Sequence, residues 1–387
     1  MIPHVALGKK LALGATALVT ALSLTACGGG AAADSDALRI GYLAHLTGPT
    51  AGPYGLPFDK GIKLGVEAVN DSGVLGDLKL TLDTQDVGGE VPSAITQYNK
   101  FLREDISIFV SPSSTPIQRA LQPYMQKDGA VLLSSSVGDE TKKKPGGVFA
   151  LPDAITPNEN FGKYIAAEGA KTAVMLVDGE NPAFNAIAAA LQRGFEETGG
   201  EVVEEIDISA KDNDFSPVVT KIQAASPDAV FFSTLSETAG NLMIQMERSG
   251  GFEDVQMAGG VSWGKQVYDV AGDVAVGAQF AAYWAPADDG AFEKRFLERY
   301  DVLPESVSAT GYQTAWLIAG AASLAVEAGE DVDGAAIAKY MPQAAETDIV
   351  KENGTYESWA FRDSGTAIYP GVVMEFDATG TIVPVSK

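Results

Sequence analysis

Hydrophobic and polar positions along this chain switch period repeatedly. Leu38 to Ala44 is an apolar run of strand length, and Pro57 to Asn70 carries Ile62, Leu64, Val66 and Val69 as the buried positions of a helix. Leu78 to Asp83 reads as a strand, Val91 to Leu102 as a helix and Ile106 to Val110 as a strand. An amphipathic helix from about Thr115 to Lys127 and an apolar strand from Ala130 to Leu133 follow. Strands alternating with helices in this way predict a doubly wound α/β unit with a parallel sheet.

The pattern restarts after Leu151-Pro152-Asp153. Thr156-Pro157 opens a helix to about Glu168, and Thr172 to Val177, Val202 to Ile208, Ala229 to Phe232 and Val255 to Ala258 are strands. The helices between them span Pro182 to Glu197, a segment opened by Ser216-Pro217, and Glu237 to Arg248. Gln279 to Trp284 is a further apolar strand. The helices Gly290 to Tyr300, Ser306 to Ala328 and Gly334 to Tyr340 then come without strands of their own, so they are expected to cover a sheet already built. Short strands and turns close the chain from Thr355 to Val385. The expectation is two doubly wound α/β lobes joined by three crossovers. Residues 37–155 and 284–350 are expected to form one lobe and 156–283 and 351–387 the other, with the third crossover anywhere between about Gln343 and Gly371.

Two serine clusters stand at neighbouring strand ends of the first unit. Ser111, Ser113 and Ser114 follow one strand and Ser134, Ser135 and Ser136 the next. In an open parallel sheet ligands lie beyond the carboxyl ends of the strands, where hydroxyls and helix N-terminal amides meet an anion. The clusters are therefore two candidate halves of one polar cradle. A second candidate follows the first strand, in Leu46-Thr47-Gly48-Pro49-Thr50-Ala51-Gly52-Pro53-Tyr54-Gly55. Its glycines and prolines set a turn that lets a ligand approach the backbone, and Tyr54 supplies an aromatic wall.

Composition changes the picture mainly at the N-terminus. Lys9 and Lys10 precede an apolar run from Leu11 to Leu24, which is too short to span a membrane and ends in small residues, as a signal peptide does. Leu24-Thr25-Ala26-Cys27 resembles the lipobox of bacterial lipoproteins. Residues 1–26 are thus expected to be a lipoprotein signal peptide, Cys27 the lipidated residue and 27–36 a flexible tether. The chain holds 27 basic and 51 acidic residues; removing Lys9 and Lys10 leaves 25 against 51, a net charge of −26. That surface argues against nucleic acid or an anionic membrane face as partner.

The ordered set HLTGPTAGPYG…KGIKLGVEAVNDSGVLG, VSPSSTPIQRALQPYMQKDGAVLLSSS, FNAIAAALQRGFEETGGEVV and DNDFSPVVTKIQAASPDAVFF resembles the leucine/isoleucine/valine-binding family of periplasmic solute-binding proteins. The resemblance implies a type I periplasmic binding fold that encloses a small-molecule ligand between its lobes and works with an ABC permease and ATPase. The lipobox resemblance implies attachment through Cys27 to the outer face of the bacterial cytoplasmic membrane. The family resemblance places a ligand carboxylate on Ser113, Ser114 and Ser136, Val137 and Gly138, with Tyr54 covering the ligand. On the second lobe a family aromatic matches Phe184 and a family tyrosine falls on Leu235 or Ser236, and Leu235, Phe184 and Trp263 suit an apolar or aromatic ligand body. The family's acid for an α-ammonium falls near Gly260, where no carboxylate stands, and Glu237 is the nearest substitute.

A buried ammonium without an anionic partner costs several kcal/mol. The expected ligand is therefore an aromatic or branched organic acid, with branched-chain amino acids next. A ligand-sensing receptor module of the same fold, binding a short amide or amino acid, is the alternative function. No enzyme is expected. Gly260-Val261-Ser262-Trp263-Gly264 spells the nucleophile-elbow pattern, yet His45, the one histidine left after processing, lies far upstream of Ser262. Asp212-Asn213-Asp214 and Asp83 with Asp86 lack the spacing of a calcium loop. No metal or cofactor is expected.

Overall fold

The computed structural model describes residues 37–385 apart from 137–143, 210, 288 and 357. The expected signal peptide, Cys27 and the tether lie outside the described residues, as do Val137 and Gly138.

The first unit follows the anticipated alternation: β1 (Ala37–Ala44), α1 (Leu56–Ser72), β2 (Lys79–Asp86), α2 (Val91–Leu102), β3 (Ile108–Ser111), α3 (Thr115–Met125), β4 (Val131–Ser134) and β5 (Val148–Ala150). The strands form a five-stranded sheet in the order β2-β1-β3-β4-β5, and every pairing is parallel. β5 was not anticipated. It is only three residues long, below the length at which periodicity is readable, and it pairs through Leu132 with Val148 and Ser134 with Ala150.

The second unit comprises α4 (Thr156–Ala167), β6 (Thr172–Val177), α5 (Pro182–Glu197), β7 (Glu201–Asp207), α6 (Ser216–Ala225), β8 (Ala229–Ser233), α7 (Ser236–Ser249), β9 (Gln256–Gly259), α8 (Gln266–Ala271) and β10 (Gln279–Ala282). The chain then runs through α9 (Ala291–Tyr300), α10 (Ser306–Glu327), α11 (Gly334–Ala344), α12 (Asp348–Asn353) and a two-stranded hairpin, β11 (Ala360–Phe361) with β12 (Ala367–Ile368). It ends in β13 (Val372–Phe376) and β14 (Ile382–Pro384). The second sheet has seven strands in the order β14-β13-β10-β9-β8-β6-β7, parallel from β10 to β7 and antiparallel at β13 and β14.

Helices α10 and α11 cover the first sheet, as the strandless run implies. Trp316, Leu317, Ile318, Ile337 and Met341 share one core with Ile40, Tyr42 and Phe58. Helix α10 shows why it must be hydrophobic almost all round: it is buried against α1 on one side and α11 and α12 on others. Its contact with α1 is close enough that a Cβ on Gly61 would overlap the Ser308 carbonyl oxygen. The second unit repeats the device in α4 and α5, where a Cβ on Gly194 would overlap the Glu159 carbonyl oxygen.

The chain returns late, at the end of the interval from about Gln343 to Gly371 in which the third crossover is expected. Trp359, Ala367 and Tyr369 still belong to the first core, and Ala150 bridges Thr366 at the edge of the first sheet. The chain joins the second sheet only at Val372, paired with Ala282. The physical reason is aromatic: Trp359 and Tyr369 are buried in the first core and Tyr356 and Phe361 pack against it before Pro370-Gly371 turns away.

Candidate functional site

β5 leads from its carboxyl end into α4, and β10 leads from its carboxyl end towards α9. The carboxyl ends of both sheets therefore adjoin the crossovers. On the first unit these ends are polar and internally tied. The Ser114 N–H donates to Ser136 Oγ at 2.6 Å, the Ser135 N–H to the Ser111 carbonyl at 3.1 Å, and the Ser136 N–H to Ser134 Oγ at 3.3 Å. The two serine clusters are thus one connected structure. Ser136 is fully buried, Ser113 and Ser114 are half-buried. The Ser114 amide, expected as a ligand donor, is spent on Ser136. Ser114 ends in extended backbone before α3 and its hydroxyl does not cap the helix.

The loop after β1 is held from β2. Asp86 accepts from the Leu46 N–H at 2.9 Å, from Thr47 Oγ at 2.7 Å and from the Gly88 N–H at 3.0 Å. Partial desolvation pulls its pKa up, but the bonds from Thr47, Leu46 and Gly88 outweigh it and hold the carboxyl below its ordinary value. The chain then makes a wide turn at Ala51–Gly55, with the Gly55 N–H reaching the Thr50 carbonyl five residues back at 3.0 Å. Tyr54 projects from this turn and is exposed. His45 lies beneath it, fully buried, with Nδ1 3.2 Å from Thr50 Oγ. Burial lowers its pKa to about 4, with nearby Asp86 opposing, so the ring is neutral at pH 7.

The second unit also carries buried polar groups at its strand ends, Asp178 after β6 and Ser233, Thr234 and Ser236 at the end of β8. Leu235 precedes α7 and is 51% exposed, and Glu237 is exposed in the first turn of that helix. Two other expected ligand positions, Phe184 and Trp263, are buried. The Phe184 side chain is buried with Ile187, Leu191 and Phe231, and its carbonyl accepts from Ser233 Oγ at 2.6 Å. Trp263 is buried over Gly259, with its ring 5.4 Å from Phe232 and 6.2 Å from Phe280. The apolar face of the adjacent sheet draws both rings in. Ser262 Oγ donates to the Thr234 carbonyl at 3.0 Å, and Ser236 Oγ to the Ser262 carbonyl at 3.1 Å. That clasp joins the ends of β8 and β9 and gives the nucleophile-like pattern a structural use.

Sequence reasoning missed the polar cluster at the crossovers. Asp153, fully buried, faces Arg362, while Tyr283, Tyr356 and Tyr369 gather beside them, with Tyr369 centred 6.2 Å from Tyr283 and 5.0 Å from Tyr356. Desolvation pushes the Tyr283 hydroxyl pKa up, and the nearby Asp153 carboxylate adds to the shift. The concentration of Tyr356, Trp359, Arg362 and Tyr369 in a polar tail was the available signal. Among the described residues no group of acids, histidines or cysteines could hold a metal ion, and no helix is long and apolar enough to cross a membrane.

A family model described as "Periplasmic binding protein" matches residues 37–381, nearly all of the described chain. The chain belongs to the periplasmic binding protein family. Leu/Ile/Val-binding protein homolog 3 of Brucella melitensis is 23% identical over 236 residues, covering 60% of this chain and 64% of that relative, so the chain spans just under two thirds of that relative's length. The branched-chain amino acid transporter substrate binding protein of Streptococcus pneumoniae, solved in complex with isoleucine, superposes with a TM-score of 0.66 at 19% identity, covering 91% of this chain and 100% of that one. A solute binding protein of R. palustris solved in complex with benzoate gives a TM-score of 0.64 at 19% identity, covering 90% and 96%. At these identities the likeness establishes the fold, with its two α/β units and paired sheets.

Proposed function

We propose that this member of the family is the extracytoplasmic substrate-binding component of an ABC importer, lipid-anchored through Cys27. It captures a small carboxylate between its two units as two lobes and delivers it to a permease and its ATPase. The observation that carries the reading is the joining of the serine loops by the 2.6 Å bond from Ser114 to Ser136, which sets hydroxyls at neighbouring carboxyl ends of a parallel sheet. Hydrogen bonds to an ionised acceptor are the strong ones, so such a cradle suits a carboxylate. Tyr54 covers the ligand from the first lobe, and Ser113, Ser114 and Ser136, with Val137 and Gly138, hold its charge.

On the second lobe exposed Leu235 meets the ligand body. Phe184 and Trp263 act from behind, as the packed floor beneath that surface. Glu237, exposed at the start of α7, is the acid we assign to an ammonium, since the nearest side-chain neighbours of Gly260 are Ile187 and Asn158. The relatives bound to isoleucine and to benzoate span the two ligand classes in question. We favour acids without an amino group.

Isothermal titration with benzoate, 4-methylpentanoate and leucine tests this. Binding of the first two, with leucine at least tenfold weaker, is the expected result. Tight leucine binding that survives Glu237→Gln would overturn the ligand preference, and no binding of any small acid would overturn the function. Incorporation of labelled lipid, lost in Cys27→Ser, checks the anchor.

A further inference from the structure

The crossover cluster has a geometry that neither the ligand cradle nor the cores require. Asp153 is fully buried at the first crossover. Its Oδ1 accepts from the backbone N–H groups of Ile155 at 2.9 Å and Thr156 at 3.1 Å, which orders the start of α4. Its own N–H donates to the Tyr369 hydroxyl at 3.0 Å, at the threshold of the third crossover. Arg362 completes it, with Nη1 3.2 Å from Asp153 Oδ1 and Nη2 donating to Asp153 Oδ2 at 3.3 Å.

The same guanidinium serves both units. Nη1 donates to the Ala367 carbonyl at 2.8 Å, within the β11–β12 hairpin, and that hairpin packs on the first core through Trp359, Phe361 and Ala367. Nη2 donates to Thr156 Oγ at 2.7 Å, and Thr156 is the first residue of α4, which packs with α5 in the second unit. Asn160 Nδ2 donates to the Pro370 carbonyl at 3.1 Å from the same helix.

A buried ion pair is kept in place only if its remaining donors and acceptors are satisfied, and then it holds one geometry. Here the satisfied geometry includes one group from each side of the hinge. Rotation of the two units about the crossovers has to lengthen the bond to Thr156 or carry Arg362 off its hairpin, because the guanidinium is a rigid planar fork. The geometry points to Arg362 as a positioning residue that latches the angle between the two units, with Thr156 as the catch on the second unit and Asp153 as the pivot. Two-lobed closure is a population shift, so a latch of this kind sets the resting ratio of lobe angles before any ligand arrives.

The test needs no ligand. Pulsed electron–electron double resonance on the full chain with Cys27→Ser, spin-labelled at Lys127→Cys in the first unit and Lys221→Cys in the second, reads the distribution of distances between the units. Thr156→Val removes only the catch, keeps side-chain volume and leaves the Asp153 bonds to α4 intact. It is expected to move or broaden the distribution, with a second population rising at least threefold. Arg362→Lys keeps the charge without the fork and is expected to do the same. Distributions for both variants that superpose on the parent would overturn the latch. Should Arg362→Lys fail to fold, Thr156→Val alone decides. The outcome is independent of which acid the cradle takes, so a failed ligand screen and a failed latch are separate results.

Discussion

The two α/β units solve the same packing problem and present different chemistry. Each brings a helix pair into backbone contact at a glycine, α1 with α10 at Gly61 and α4 with α5 at Gly194. At the carboxyl ends of their sheets they diverge. The first unit presents serine loops bonded to each other, an acid-clasped loop and a buried neutral imidazole. The second spends its hydroxyls on closing β8 to β9 and sinks its aromatic rings into its core. A shared fold therefore fixes where a site can lie, while the strand-end residues decide which half carries polar recognition.

The largest effect is expected where the units are alike. Gly61→Val and Gly194→Val each force a side chain into a facing carbonyl, a kind of overpacking that costs about 3 kcal/mol. Urea denaturation should show a comparable loss for each. A small effect for one alone would mean that its helix pair can separate.

Acid should separate the units. His45 has a native pKa of about 4 against roughly 6.5 in an unfolded chain, so below 6.5 the unfolded state binds the extra proton. The stabilisation from keeping this ring neutral is complete above that pH and is lost as pH falls towards 4, by about 2–3 kcal/mol near pH 4.5. The second unit contains no histidine. His45→Gln, which cannot charge, should flatten the difference between urea midpoints at pH 7 and 4.5. An unchanged slope would place the acid sensitivity elsewhere.

Next come the paired serines. Ser136→Ala leaves the Ser114 N–H without its acceptor and should cost about 1–2 kcal/mol and weaken carboxylate binding roughly tenfold. Ser262→Ala, across the molecule, should cost similar stability and leave carboxylate affinity within about twofold. Equal affinity losses from both would erase the proposed division of labour.

The smallest effect is expected at Asp86. Its carboxyl lies below its ordinary pKa because of the bonds from Leu46, Thr47 and Gly88, despite the opposing desolvation. Its hold on the loop is therefore present above roughly pH 4 and fades as pH falls through the lowered native value. Asp86→Asn should speed hydrogen exchange at the Leu46 amide several-fold at pH 7 while leaving the urea midpoint nearly unchanged.

Much of this was legible along the chain. The alternation of periods marks the strands and helices that carry both sheets, and the run of strandless helices after Gly290 implies a return to the first sheet. The serine clusters signal the cradle by composition at strand ends. Which way the rings of Phe184 and Trp263 turn is not legible along the chain, because it depends on the apolar face made by Phe231, Phe232 and Phe280 from other strands. β5 was too short for periodicity to register.

The sequence by itself determined the local elements, the acidic surface and the hydroxyls at two strand ends, since these depend on neighbouring residues and composition alone. Only the tertiary structure decided that the segment from Trp359 to Tyr369 stays with the first core, and that Arg362 meets Asp153 across a separation of 209 residues. Such meetings depend on which surfaces the folded units bring together, and a buried ion pair is stable only once every surrounding donor and acceptor has arrived.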